Sequence, residues 1–128
     1  MIISALFGRA ERLPDAVLAR HPELTHARFR RGGLPARIGG WALGQPSVAA
    51  ITLWRTVFLA PHTRLDPELL LHELRHVHQF QASLSFPVRY LWESLRRGYR
   101  DNRFELDARS FARERLREEP SDIRRGDR

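Results

Sequence analysis

The residues best equipped for chemistry are His72-Glu73-Leu74-Arg75-His76. On an α-helix, residues four apart lie one turn along and about 40° around the axis, so both imidazoles reach a single ion. Glu73 sits about 100° from His72, able to lean over a metal-activated water without holding the ion itself. The chain contains no cysteine, which excludes disulfide scaffolds, thiolate zinc modules and thiol nucleophiles. Any metal must then be held by His and carboxylates. Two imidazoles leave an open catalytic site one protein ligand short. The stretch Asn102 to Ala108 offers Glu105, far enough along the chain for an intervening helix and a return to the site.

Elements must hold these groups in register. Asp66-Pro67-Glu68 is a helix start: Asp66 suits the N-cap, Pro67 the first helical position and Glu68 the positive end of the dipole. The spacing predicts a helix running to about Ser83, with Leu70, Leu74 and Val77 on the face opposite His72 and His76. Ser47 to Ala60 is the longest apolar, β-branched and aromatic run, read as one buried strand ending at Pro61. After Pro87, Val88 to Arg97 reads as a helix closed by Gly98, and another runs from near Asp101 to Glu119, where Pro120 stops it. Upstream, residues 9–20 read as a short amphipathic helix broken near Pro14 and ended by His21-Pro22. The pairs Gly32-Gly33 and Gly39-Gly40 punctuate two short strands, His26–Arg30 and Leu34–Ile38. Strands first and helices afterwards imply an α+β fold, a small antiparallel or mixed sheet followed by an active-site helix and two further helices. A single domain over residues 1–120 and a disordered polar tail over 121–128 are expected.

The segments HELRHVHQF and NRFELDARSFA, in this order, resemble the gluzincin branch of the zincin metallopeptidases. The likeness covers roughly Ser47 to Ala112, half of the chain. It implies His72, His76 and Glu105 as ligands of one zinc ion, Glu73 as general base, and a peptide or unfolded protein as substrate. It also implies that the strand within Ile51 to Leu59 lies over the active-site helix and pairs with extended substrate. In one position the chain departs from the family. Gluzincins commonly carry an acid four residues after the third ligand, which takes the free N–H of a ligand His. Arg109 stands there and has nothing to accept with. Asp101, four residues before Glu105, returns to the same face and is the expected substitute, whereas Asp107 lies about 200° away.

Other polar and aromatic residues carry less. Tyr99, shortly before Glu105, is a candidate to polarise a scissile carbonyl, against a plain packed aromatic. His78 lies about 240° around the helix from His72 and cannot share its ion, and His62 reads as a loop residue. Trp41, Trp54 and Trp92 read as core.

Composition bounds the rest. In 128 residues with 42% hydrophobic content and no apolar run of membrane-spanning length, one domain in the cytoplasm is expected. The start, Met1 to Phe7, lacks the basic region of a secretory signal. The net charge is +7 and all 22 basic residues are Arg, but they are spread along the chain and interleaved with acids. No specific nucleic-acid partner is therefore expected. Two rival readings stand beside the peptidase: a zincin-like domain that binds metal or a partner with little proteolysis, and a basic nucleic-acid or membrane-surface module with an accidental motif.

Overall fold

The computed structural model describes residues 6–33 and 49–118. Strand β1 is Arg9–Ala10, β2 Arg28–Arg31, β3 Ala50–Leu53 and β4 Thr56–Leu59. Helix α1 is Asp15–Arg20, followed by a 3-10 turn over Pro22–His26; α2 is Pro67–Ala82, α3 Phe86–Asp101 and α4 Arg103–Arg117. The sheet is mixed, in the order β1-β2-β4-β3, with β2 and β4 parallel and the outer pairs antiparallel. Its β3 edge lies against α2, and α4 packs on α2 in turn. The fold is α+β, as the order of elements implied. Among the described residues no helix is long and apolar enough to cross a membrane.

Helix α2 forms as its sequence dictates. The Asp66 carboxylate accepts from the Glu68 N–H at 3.2 Å, capping the first turn. Leu70, Leu71, Leu74 and Val77 are fully buried, among Leu24, Val57 and Leu59 of the core. Helix α4 approaches closely because its facing stripe is small: Ala108 and Ala112 are fully buried, and Glu105 precedes them on the same face. The register of that stripe therefore sets how near Glu105 comes to α2.

Three expectations need correction. In the run Ser47 to Ala60, read as one strand, the described part is a hairpin: Ala50–Leu53 and Thr56–Leu59 are antiparallel, and Leu53 pairs with Thr56, leaving Trp54-Arg55 as the turn. Nothing in the local sequence marks that turn, and Trp54 adopts φ 55°, which bulky residues seldom do. Tertiary contacts hold it, with Arg55 Nε donating to the His26 carbonyl at 2.8 Å and the Arg28 N–H donating to the Arg55 carbonyl at 2.9 Å. Residues 9–20 open with a strand: Arg9 and Ala10 pair with Arg31 and Arg30, and the helix begins only after Pro14. Of the two glycine-punctuated strands, the first is shifted to Arg28–Arg31 and pairs with β1 and β4. The second, Leu34–Ile38, lies outside the described residues, as do Trp41 and the tail 121–128.

Gly98 breaks α3 as its position suggested, at φ 79° and ψ 168°. Asn102 then starts α4, its Oδ1 accepting from the Phe104 N–H at 2.9 Å. The Asn102 amide also donates to the Tyr90 carbonyl at 3.0 Å and the Ser94 hydroxyl at 2.9 Å. Arg109 donates to the Arg100 carbonyl at 2.8 Å, capping the end of α3 from the next helix.

Candidate metal centre

His72 and His76 project from adjacent turns of α2, and Glu105 from the first turn of α4 meets both. Its carboxylate lies 2.8 Å from His72 Nε2 through one oxygen and 2.9 Å from His76 Nε2 through the other. The three donor atoms lie within 4.8 Å of one another. Glu105 and His76 are buried and His72 nearly so. Burial alone would raise the Glu105 pKa, but hydrogen bonds from His72 and His76 outweigh it and hold the carboxyl well below the usual range. Burial would likewise lower that of His76; Glu105, together with the charge of Glu73 and the Gln79 bond, raises it to about 9.

The tautomer of His76 follows from its neighbours. Its Nδ1 lies 2.7 Å from Gln79 Oε1. The Gln79 amide nitrogen donates to the Phe104 carbonyl at 3.0 Å and to Asp107 Oδ2 at 2.9 Å. With both amide hydrogens spoken for by acceptors, the oxygen must face the imidazole. His76 Nδ1–H is thus the donor there, and Nε2 is the nitrogen turned toward Glu105. Asp107 is itself gripped by Arg75, whose Nε donates at 2.8 Å.

Glu73 is buried beside this cluster. Thr52 of β3 donates to its Oε2 at 2.7 Å. Alternation along β3 turns Ala50 and Thr52 toward the helix, which is why the threonine meets Glu73. Tyr90 of α3 donates to Glu105 Oε1 at 2.8 Å. Burial first, then the negative charge of Glu105, pushes the Tyr90 phenol up, and Tyr99 is raised by the same two causes in the same order. Both phenols therefore stay protonated donors at any ordinary pH. A groove runs along β3 past these groups in two lobes. One of about 270 Å³ is bounded by His72 and Leu69, the other of about 250 Å³ by Phe80, Phe86 and Leu91; Glu73 and Tyr99 line both.

The structure thus brings together His72, Glu73, His76, Tyr99 and Glu105, all read from the sequence. It does not bring Asp101 to His72 or His76: that residue is exposed at the end of α3, and Gln79 meets His76 instead. Asp107 does not point away from the site either, but supports Gln79. Its angle from Glu105 was the wrong measure, because α2 passes along that side of α4. Gln79 was legible in principle, three residues after His76 and so on its face. Thr52 and Tyr90 arrive from other elements and carry no local signal. His78 packs edge-on against Phe111 with centroids 5.7 Å apart, and His62 is an exposed loop residue. Trp54 and Trp92 are exposed rather than core, Trp54 because the hairpin turn carries it outward.

Two imidazole nitrogens and one carboxylate, converging and buried, fit a divalent ion of zinc type. The Gln79 bond to Nδ1 of His76, which turns Nε2 toward the other two donors, is the kind of support a metal site would need. Comparison with protein-family models, with curated proteins and with solved structures finds no match for this chain.

Proposed function

We propose that the chain is a zinc-dependent metallopeptidase, with His72, His76 and Glu105 as the ligands. The observation that carries this reading is the convergence of those three donors beside Glu73 in a groove edged by β3. Zinc held there would supply a Lewis acid for the scissile carbonyl and bring the pKa of a water towards ~7. Glu73 takes the attacking water's proton and passes it to the leaving amine, with Thr52 fixing which carboxylate oxygen is free. The outer edge of β3, the last strand of the sheet, pairs with an extended peptide backbone. Tyr99 donates a hydrogen bond to the carbonyl oxygen of the bond being cut. The lobe bounded by Phe80 and Phe86 takes a large apolar side chain of the substrate.

Metal analysis and peptidase assays on unfolded protein test the proposal together. The expected result is close to one zinc per chain after reconstitution, with cleavage abolished in Glu73→Gln while zinc is retained, and zinc lost in Glu105→Ala. Less than about 0.2 equivalents of zinc at neutral pH would overturn it.

A further inference from the structure

Beyond its buried first residue, Phe86, helix α3 turns polar side chains inward and apolar ones outward. Its inward face carries Tyr90, Glu93 and Ser94, with Glu93 buried between Arg97 at 3.6 Å and Arg103 at 3.7 Å. Its outward face carries Val88, Leu91, Trp92 and Leu95, which fall within about 100° of arc. Those four are 71%, 60%, 58% and 83% exposed, and Leu84 just before the helix is wholly so. An apolar stripe of this continuity marks an interaction site.

The charges beside it indicate what it meets. Arg89 and Arg96 flank one side of the stripe, with Arg96 lying 5.9 Å over the Trp92 ring. Glu93, the one acid within that stretch, faces inward and is already paired. Two copies packed stripe to stripe would set arginines against arginines with no acid between them. A layer of anionic headgroups over acyl chains complements both features: the apolar side chains enter, Trp92 sits at the boundary, and the long arginine stems reach the phosphates.

We infer that the outer face of α3 docks the protein on anionic lipid bilayers. The contact lies beside the groove, since Leu91 belongs to both, yet its test needs no metal or activity and stands apart from the peptidase reading. Flotation of the full chain with vesicles of phosphatidylcholine containing 30% phosphatidylglycerol is expected to recover it with the lipid. Pure phosphatidylcholine is expected to recover far less. Leu95→Asp, and independently Val88→Ser, should weaken binding while leaving the circular dichroism unchanged, both sites being exposed. Arg89→Glu with Arg96→Glu should weaken it by about 25-fold or more, each lost arginine counting for roughly fivefold. Absence of flotation at millimolar lipid would overturn the inference. So would a dimer that Leu95→Asp dissociates in protein that does not float. Binding lost in the arginine variant but untouched by Leu95→Asp and Val88→Ser would indicate a general polyanion surface, and would overturn it equally.

Discussion

Gln79→Leu removes the one acceptor that faces His76 Nδ1 while keeping a side chain of similar size. The imidazole N–H then has no partner, the ring is free to rotate, and its Nε2 becomes a poorer ligand. Loss of such an outer partner costs about 10–100-fold in zinc affinity, equivalent to roughly 1.4–2.7 kcal/mol. The 2.7 Å length of the bond and the burial of His76 place the effect in the upper half of that range. Asp107→Ala should cost only a few-fold, because Gln79 keeps its bond to the Phe104 carbonyl. Asp101→Ala should leave affinity unchanged, since its carboxylate is exposed. Competition titration against a chromophoric chelator at pH 7.4, with melting of the zinc-free proteins alongside, measures all three. Zinc binding by Gln79→Leu within threefold of the parent, or a tenfold loss in Asp101→Ala, would refute the argument. A loss in Gln79→Leu fully matched by a lower melting point of the zinc-free form would assign Gln79 to folding instead.

Thr52→Val should retain zinc and lower turnover about tenfold, as Glu73 loses the bond that orients it; steady-state rates beside metal analysis check this. Ala108→Leu should weaken both folding and zinc binding, by about 1–3 kcal/mol in stability, because α4 can no longer close on α2; chemical denaturation measures it. His78→Ala should leave zinc stoichiometry unaltered, which metal analysis reads directly. The zinc-free protein should show the pH dependence of a raised imidazole: His76 contributes stability fully present below its ordinary value of 6.5 and lost as pH rises through about 9. Zinc competes for the same nitrogen, so its affinity should climb over that interval, and calorimetry in buffers of different ionisation enthalpy should detect the proton released.

What could be read in the sequence was what neighbours along the chain decide. The start of α2 follows from Asp66, Pro67 and Glu68, the break in α3 from Gly98, and the pairing of His72 with His76 from helical spacing. What could not be read depended on other elements. The hairpin turn at Trp54-Arg55 uses no turn residue; contacts from His26 of the 3-10 segment and Arg28 of β2 hold it. Thr52 and Tyr90 meet Glu73 and Glu105 only once the sheet and α3 are in place. Asp101 was favoured on its helical angle from Glu105, but the chain is not helical between them: Asn102 starts a new helix and leaves Asp101 at the end of α3. Trp92 was assigned to the core on side-chain type alone, and there the polar residues of α3 turn inward while it faces out.

Asn102 is wholly buried, and both its amide hydrogens and its oxygen are engaged. Pivoting α3 against α4 would strand these groups away from water, at about 1–3 kcal/mol for each one left unsatisfied. The two helices therefore behave mechanically as a welded bracket, carrying Tyr90 and Glu105 in fixed relation. That bracket forms one wall of the groove and β3 the other. If the groove takes a peptide as proposed, adjustment to it falls to β3 and its hairpin, so stiffening that hairpin should narrow the range of chains accepted and leave the three proposed metal ligands undisturbed.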